Sequence, residues 1–438
     1  MDIGAFRDLL PANAIATGDT AHAFTVDDLT PQYVLFPETV DQLSRCIAAV
    51  DQAGLAMMPV GSGTRLGIGN LPQRYDIAVS TRRLNRILAH EAADMTVTVE
   101  AGATLAELNA ALLSARQRLP VDPPDPEHAS IGALIATDAS GPLRLSQGKV
   151  RDLLIGIKVV LADGTLVKGG GRVVKNVAGY DLMKLFTGSF GTLGTVVEAT
   201  FKVRPCPEHE ALFVVPAAEI GTAVAGALDI LAALLAPLYV EAFNPVAAAA
   251  IGENAGAMIL VGCGGNSDEI TAQRARLEER AGKHAMRTYD GTESARRYAA
   301  LRDFPSSVPR PLGEGRGEGM GAKLSLLPSQ LAQVLPHIED EAARNNLGCA
   351  ILSHVGSGVA YVRLNGTDDV SLIGCAEWIR ATVRQADGWA VFDGVPTRLK
   401  SRVDTWGADI PATSLMRGIK QALDPRRRLS PGRFVGGI

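Results

Sequence analysis

The chain has 438 residues, a formal net charge of −4, 47% hydrophobic residues and 21% charged residues. This composition is typical of globular proteins of two or three domains, and it excludes extended disorder and a generally nucleic-acid-binding surface. Glycine is over-represented, with 46 residues against a usual share of roughly 7%. Sixteen of these glycines lie within residues 61–69 and 132–194, so the excess marks two segments of the chain.

The first predicted domain spans residues 30–207 and follows an N-terminal extension, residues 1–29. Thr39 is a predicted N-cap, because apolar residues follow it at helical spacing. Asp163 and Gly164 form a hairpin signal, and four prolines in residues 120–126 predict a rigid turn. The other predicted elements are an extended segment at 33–36, strands at 56–60, 95–99, 155–161 and 196–203, and a helix at 104–116.

The second predicted domain spans residues 208–405 and alternates strand-like and helix-like runs. We expect an α+β domain with one sheet and helices on one face. Its predicted strands are 211–215, 238–243, 258–261, 323–327, 350–353, 360–364 and 389–392, and its predicted helices include 268–281 and 330–345. Residues 310–321 hold five glycines and predict a flexible loop. Residues 406–438 are expected to form a helix, about 413–423, and a tail that returns to the first domain.

Two features bear on the cellular compartment. Residues 220–240 are long enough to span a membrane and carry one charge, Asp229, but their Ala-rich composition and Pro237 favour a buried crossover helix. The N-terminal segment has acidic residues where a signal peptide needs basic ones. We therefore expect a cytoplasmic protein without a transmembrane segment.

The cysteines do not form a metal site. No two have metal-ligand spacing, so neither an iron–sulfur cluster, a zinc ribbon nor a disulfide framework is predicted. They are Cys46, Cys206, Cys263, Cys349 and Cys375.

The first glycine-rich segment, residues 59–70, reads PVGSGTRLGIGN. Closely spaced glycines let backbone N–H groups approach phosphate oxygens, although an ordinary glycine turn explains them as well. The segment is not a Walker loop, because no Gly-Lys-Ser/Thr follows, and its spacing does not fit a Rossmann fingerprint.

The second segment, residues 137–205, has a specific order of parts: a glycine turn, Arg151-Asp152, a strand, a hairpin, KNVAGYDL from Lys175, and GSFGTLG from Gly188. With the GSGT of the first segment, these motifs resemble the FAD-binding domain of the vanillyl-alcohol oxidase/PCMH flavoprotein superfamily. Within it the chain is most similar to FAD-binding subunits of bacterial glycolate oxidases, which are related to FAD-linked D-lactate dehydrogenases. The tail DPRRRLSPGRF resembles the end of that family.

The resemblance implies an α+β protein with a PCMH-type two-subdomain FAD-binding fold and an α+β cap domain. It implies that loop 60–65 holds the FAD pyrophosphate through backbone amides. No histidine occupies this loop, so we expect non-covalent FAD. The implied cofactor-binding residues are Val60, Gly61, Ser62, Gly63, Thr64, Arg65, Pro123, Gly132, Ser140, Gly141, Arg151, Asp152, Ile155 and Val196. An ordinary ion pair between Arg151 and Asp152 is an equal alternative, and Lys175 and Tyr180 have no assigned step.

The candidate catalytic residues are His354 and Arg302. Catalytic relatives carry a phrase resembling His-Ala-Gly-Asp-Gly-Asn-x-His, whose histidines help bind a divalent metal. In this chain His354 matches the first histidine, while Ser357 and Tyr361 replace the acid and the second histidine, so no metal site is predicted. His354 is either a polar strand-end residue or a substrate-facing acid/base. Arg302 is either a helix-surface residue or a bidentate partner of a substrate carboxylate.

The resemblance implies oxidation of a 2-hydroxy acid, glycolate or D-lactate, to the 2-oxo acid in a glycolate-oxidase-type complex. The implied partners are a catalytic flavosubunit and an iron–sulfur subunit, and peripheral association with the inner face of a membrane is compatible with them. A stand-alone FAD-dependent dehydrogenase and a non-catalytic flavin-binding scaffold are the alternatives. Arg426 to Arg428 are too few for a nucleic-acid or membrane patch, and fit a solvated face or a docking strip for an acidic partner.

Overall fold

The computed structural model separates into two compact units. The first unit comprises Met1–Ala139, Lys149–Cys206 and Ala408–Ile438, and the second comprises Ser140–Gly148 and Pro207–Gly407. The residues that the structure describes are 4–171, 180–233, 236–253, 256–281, 286–306, 319–407 and 410–438.

The first unit contains two main sheets. A four-stranded sheet has the order Ile15–Ala16, Tyr33–Leu35, Ile77–Ser80 and Met57–Val60. Its last three strands are parallel to one another. A five-stranded antiparallel sheet has the order Ile87–Glu91, Thr96–Glu100, Thr195–Lys202, Leu154–Val160 and Leu166–Gly170. Gln117–Arg118 and Arg204–Pro205 form a short additional pair.

Helices cover these sheets because their apolar residues recur at helical spacing. Val40–Gln52 begins at Thr39, whose side chain accepts a hydrogen bond from Gln42 N as predicted, and it buries Leu43 and Ile47. Leu105–Leu112 begins with a capping box between Thr104 and Glu107. The remaining helices of the first unit are Gly4–Arg7, Asp19–His22, Ile131–Thr137, Val150–Leu153, Leu182–Phe186 and Thr413–Leu423.

The second unit is built on one antiparallel sheet of eight strands. In spatial order these are Arg287–Asp290, His209–Ala217, Ala257–Gly265, Tyr239–Phe243, Gly348–His354, Val359–Asn365, Gly319–Ser325 and Trp389–Asp393. Its helices are Arg144–Gln147, Ile220–Ala232, Pro245–Ala250, Ser267–Ala281, Gly291–Asp303, Pro328–Arg344 and Asp369–Gln385. Both units contain sheets as well as helices, so the predicted α+β class is confirmed.

The expectation of helices on one face of this sheet is wrong. Phe213 and Ile351 face a core shared with Ile220–Ala232, Pro328–Arg344 and Asp369–Gln385. Leu212 and Leu352, whose side chains point the other way, face a second core formed with Pro245–Ala250 and Gly291–Asp303. Because successive strand residues alternate faces, two apolar sets require two helical layers.

Several local predictions differ from the structure. The strand predicted at 323–327 is Gly319–Ser325, so residues 319–321, expected in a flexible loop, form its first part. Residues 310–318 lie outside the described part of the chain. The Ala-rich segment forms the helix Ile220–Ala232, which buries Ala223, Val224 and Ala227. Within the described ranges, no helix is both long and apolar enough to cross a membrane.

Candidate functional site

The first glycine-rich loop leaves the strand Met57–Val60 at its carboxyl end. Gly63 and Gly69 have φ angles of +84° and +108°, a conformation that side chains other than glycine rarely adopt. A Cβ atom on Gly61 would lie 2.0 Å from Ser130 Oγ. Glycine at position 61 therefore permits a backbone approach that any larger residue would block.

Ser130 belongs to the segment that the loop touches. It is the N-cap of the helix Ile131–Thr137, and its Oγ accepts a hydrogen bond from Ala133 N. Gly132 N donates to Ala101 O over 2.7 Å. A Cβ on Gly132 would lie 3.1 Å from Ala101 Cβ. The helix is thus fixed at close range against both the glycine loop and the neighbouring chain.

The GSFGTLG segment wraps the other end of that helix. Gly188 N donates to Ile135 O over 3.0 Å, and Phe190 N donates to Ala136 O over 2.8 Å. Phe190 has a φ of +53° and Gly191 one of +69°. These left-handed residues turn the chain tightly back toward the strand Thr195–Lys202.

The C-terminal tail joins the two glycine segments. Arg433 pairs with Asp27 at 2.9 Å, and its guanidinium also donates to the carbonyls of Leu66, Ile68 and Asn70. The Phe434 ring stacks on the Phe190 ring with centroids 5.4 Å apart. The Arg433 side chain of the tail therefore holds the first loop through its backbone carbonyls.

A buried ion pair holds the tail itself. Lys420 Nζ donates to Asp424 Oδ2 over 2.6 Å, and to the carbonyls of Thr192 and Leu429 over 2.7 and 2.8 Å. Burial lowers the pKa of Lys420, while the Asp424 carboxylate opposes that shift. Asp424 also accepts from the backbone N–H groups of Arg428 and Leu429. This network satisfies both charges.

The three tail arginines contact their own chain. Arg426 pairs with Asp51 at 2.9 Å. Arg427 donates to Gly437 O, and Arg428 donates to Gly54 O.

These segments surround a cleft in the first unit. The cleft opens to solvent and has a cavity volume of about 110 Å³. Its walls come from the first loop, the helix Ile131–Thr137, residues 190–196 and the tail. The lining residues are 58–61, 63–66, 68, 81, 132, 133, 136, 137, 190, 191, 194–196, 430 and 433.

The cleft suits a phosphate-containing cofactor. Its glycines bring backbone close to the open space, where N–H groups can bind phosphate oxygens. Thr195 lines the cleft, and its buried Oγ1 has no hydrogen-bond partner among the described residues, so it offers a further polar contact. The residues present therefore fit a bound dinucleotide.

Seven of the predicted cofactor-binding residues line this cleft: Val60, Gly61, Gly63, Thr64, Arg65, Gly132 and Val196. The other seven do not. Ser62 accepts a hydrogen bond from Arg82 through its carbonyl, and Pro123 lies buried in the proline-rich turn. Ser140 and Gly141 belong to the second unit, where the buried Ser140 Oγ has no hydrogen-bond partner in the described ranges.

Arg151 and Asp152 lie in the short helix Val150–Leu153, where Asp152 accepts a hydrogen bond from Lys149 N. Ile155 lies on the next strand, and its carbonyl accepts from Gly171 N over 2.9 Å. Tyr180 is 92% exposed. Lys175 lies outside the described residues.

Sequence reasoning missed several cleft residues. Phe190, Thr195, Ser430 and Arg433 all line it. Ser430 and Arg433 could have been predicted, because both lie in the tail DPRRRLSPGRF, which resembles the end of the family. Nothing local marks Thr195 as a binding residue.

His354 occupies a buried position in the second unit. It ends the strand Gly348–His354, is 2% exposed, and its Nδ1 bonds to a carboxylate oxygen of Glu241. Burial raises the pKa of Glu241 well above its ordinary value, and the charge of Arg144 opposes that shift. The Tyr361 ring meets the imidazole edge-on, with centroids 5.4 Å apart. The pairing of Glu241 with His354 across the sheet was not predicted.

Arg302 lies elsewhere in the second unit, in the last turn of Gly291–Asp303. Its Nε and Nη2 bond to the two carboxylate oxygens of Asp303 over 2.9 and 2.8 Å. The bidentate face expected to meet a substrate carboxylate is therefore occupied by a carboxylate of this chain.

Metal-ligating side chains do not cluster in the described parts of either unit. No group of three or more His, Cys, Asp or Glu side chains there has the arrangement of a metal site. All five cysteines are free thiols.

Two protein families match this chain. Residues 31–170 match the family described as "FAD binding domain". Residues 206–368 and 407–434 match "FAD linked oxidases, C-terminal domain".

Three named proteins are similar in sequence. Glycolate oxidase subunit GlcD of Bacillus subtilis is 26% identical, covering 93% of this chain and 91% of its own length. A probable mitochondrial D-lactate dehydrogenase of Danio rerio is 28% identical, covering 92% and 84%. Glycolate oxidase subunit GlcE of Escherichia coli is 35% identical over a shorter region, 38% of this chain and 47% of its own.

The fold also has solved counterparts. The structure of p-cresol methylhydroxylase with substrate bound has a TM-score of 0.76 and 17% identity, covering 98% of this chain and 95% of the other. The predicted PCMH-type FAD-binding fold is thereby confirmed.

The chain belongs to the FAD-linked oxidase family, and FAD is its cofactor. It is an FAD-linked oxidoreductase of the glycolate oxidase and D-lactate dehydrogenase type.

Proposed function

We propose that this protein is the FAD-binding subunit of a glycolate-oxidase-type complex that oxidises a small 2-hydroxy acid to the 2-oxo acid. The observation that carries the proposal is the glycine-lined cleft, because most of its lining residues lie in the part of the chain that matches the FAD binding domain. The substrate class is supported by the names of the relatives, which are glycolate oxidase subunits and a D-lactate dehydrogenase.

The first loop is assigned to the FAD pyrophosphate. Its backbone N–H groups would hold the phosphate oxygens, while Arg433 binds the carbonyls of Leu66 and Ile68 in the same loop. Gly132 and Val196 would border the cofactor from the opposite wall. Loop 60–65 contains no histidine, so FAD would be held without a covalent bond. Bound FAD supplies the two-electron acceptor that such an oxidation requires.

The other seven predicted cofactor-binding residues have less structural support. Ser62, Pro123, Ser140, Gly141, Arg151, Asp152 and Ile155 rest on the resemblance alone, since none of them lines the cleft.

His354 is assigned to the substrate's hydroxyl proton. Glu241 fixes the imidazole through Nδ1, and a ring held in this way exchanges protons at Nε2. Arg302 would bind the substrate carboxylate only after its ion pair with Asp303 is broken.

Electrons would leave through partners. The scattered cysteines give this chain no iron–sulfur ligand set, so the complex would include a catalytic flavosubunit and an iron–sulfur subunit. These partners would also provide any contact with the inner face of a membrane.

A stand-alone dehydrogenase is the second candidate. It is favoured by the D-lactate dehydrogenase relative, which matches over 92% of this chain. A non-catalytic scaffold is a third outcome of the same test, because Ser357 and Tyr361 replace metal-binding residues of the catalytic relatives.

The test uses the purified FAD-loaded chain under anaerobic conditions. Glycolate and D-lactate are added to the chain alone and to the chain with its co-purified partners, with the corresponding 2-oxo acids as controls. We expect the flavin band to bleach only with the partners present. Bleaching of the chain alone would establish the stand-alone dehydrogenase, and no bleaching of this chain's flavin in either sample would establish a scaffold.

A further inference from the structure

Arg363 is a buried arginine of the second unit, and two of its guanidinium nitrogens have no hydrogen-bond partner among the described residues. It lies on the strand Val359–Asn365 and is 8% exposed. Its Nε and Nη2 atoms are buried, and no described residue forms a hydrogen bond with either of them. These two nitrogens form the edge with which a guanidinium binds a carboxylate bidentately.

Arg297 of the same unit shows how a buried arginine is ordinarily accommodated. It is also 8% exposed, and its guanidinium lies over the Tyr289 ring at 3.7 Å from the centroid. It nevertheless binds two carboxylates, those of Glu253 and Glu293. Arg363 has the equivalent aromatic contact, with Phe304 at 4.1 Å, but within the described part of the chain neither Nε nor Nη2 has a carboxylate partner.

The strands on either side of Arg363 carry small residues at the paired positions. Its cross-strand neighbours are Gly321 on one side and Ala350 on the other. Beyond Gly321 the same row continues to Asp393. Because residues paired across strands share a face, Arg363 is flanked by the two smallest side chains available.

The electrostatic balance points to a missing anion. Burial lowers the pKa of Arg363 to about 10, and the more distant Asp393 opposes this shift only partly. The group remains protonated at neutral pH, so a full positive charge is buried. A buried charge is stable only when it is paired and hydrogen-bonded, and an aromatic ring satisfies no N–H donor.

Other polar residues share this face of the sheet. Tyr361 lies two residues before Arg363 on the same strand, and Lys323 pairs with Tyr361 from the next strand. Tyr361 in turn contacts His354. The face therefore runs from the Glu241–His354 pair, through Tyr361, to the unsatisfied guanidinium.

We propose that Arg363 binds the carboxylate of the 2-hydroxy acid, a positioning role that rests on the proposed function. A carboxylate supplies two coplanar acceptors for Nε and Nη2 and neutralises the buried charge. Arg302, the residue that the sequence suggested for this role, already has its bidentate face filled by Asp303.

The test measures ligand binding to the FAD-loaded full chain by calorimetry, with co-purified partners where they are needed. Glycolate, glycolamide and sulfate are titrated into the parent protein, Arg363→Lys, Arg363→Gln and the control Arg398→Gln. Arg398 is a surface residue of the same unit, paired with Asp369. We expect Arg363→Gln to weaken glycolate binding on the order of 10- to 100-fold, with Arg363→Lys intermediate and the control unchanged. Glycolamide and sulfate should bind weakly to every form.

Thermal unfolding without ligand separates binding from a structural role. Removing an unpaired buried charge should leave the melting temperature of Arg363→Gln unchanged or raised. A marked fall in melting temperature with unchanged glycolate affinity would make Arg363 a packing residue and overturn the proposal. Equal affinity for sulfate and glycolate would overturn the assignment to a carboxylate.

The outcomes for the two proposals are distinguishable. If glycolate still bleaches the flavin of Arg363→Gln with unchanged KM, the oxidation stands and the role of Arg363 fails. If carboxylate binding depends on Arg363 but no hydroxy acid bleaches the flavin, the binding role stands and the proposed oxidation fails.

Discussion

Replacing Gly61 with alanine tests the cofactor cleft at its tightest point. The added Cβ would lie 2.0 Å from Ser130 Oγ and 3.0 Å from Ser130 Cβ. An ordinary contact needs about 3.4 Å, so either the loop or the serine must move by about 1.4 Å. Ser130 is fully buried and caps the helix Ile131–Thr137, and its hydroxyl therefore cannot turn into solvent.

The magnitude follows from two costs. Loss of the cap is worth about 0.5–2 kcal/mol, and overpacking a tight site costs about 1–3 kcal/mol. Together they predict a loss of about 1.5–5 kcal/mol in the free energy of unfolding. For a unit of this size, that lowers the melting temperature by roughly 3–20 °C. Displaced backbone N–H groups should also weaken FAD binding on the order of 10- to 100-fold.

The assay combines thermal unfolding with titration of the FAD-depleted protein with FAD. Gly67→Ala is the matched control, because a Cβ there meets nothing within 4 Å. Adding Ser130→Gly to Gly61→Ala removes the clash and keeps an acceptable N-cap, and should restore most of the affinity. If Gly61→Ala binds FAD as tightly as Gly67→Ala and melts at the same temperature, the assigned cradle is wrong.

Three further predictions concern the tail and the second unit. Lys420→Met should lose about 3–5 kcal/mol of unfolding free energy in a denaturant titration, because Asp424 would remain buried without its cation; an unchanged midpoint would refute this. Arg433→Gln should release FAD during gel filtration because the loop loses its carbonyl contacts, whereas Arg427→Gln, more exposed, should retain it. Burial raises the pKa of Glu241 in the folded state. The protonated carboxyl group therefore contributes its full stabilisation at pH values below the pKa of the unfolded state, and this contribution is lost as the pH rises toward the pKa of the folded state. The melting temperature of Glu241→Gln should therefore exceed that of the parent increasingly from pH 5 to 8, and a constant difference would contradict the buried neutral carboxyl.

Local signals in the sequence were enough to predict much of the first unit. Thr39 caps its helix as expected because an N-cap depends on residues within one turn. Gly164, with a φ of +89°, forms the predicted hairpin turn. The role of the first glycine loop was predictable, because its glycine spacing and its resemblance to a known family both indicate a phosphate-binding loop. In the structure this loop lines the cleft.

Features that depend on distant residues were not predicted. Glu241 and His354 are 113 positions apart and meet only through strand register. The edge strand Arg287–Asp290 was missed because its residues are polar and none is fully buried. Two helical layers on the large sheet could not be inferred, because a strand buried on both faces lacks the alternation that reveals a single buried face.

The most direct test of the account is a stoichiometric anaerobic titration of the FAD-loaded complex with glycolate and with D-lactate. The account predicts that one of these acids reduces this chain's FAD in a 1:1 ratio, with one equivalent of 2-oxo acid formed for each flavin bleached. Full FAD occupancy with no bleaching by either acid, although the flavin is still reduced by a chemical reductant, would contradict the proposed oxidation.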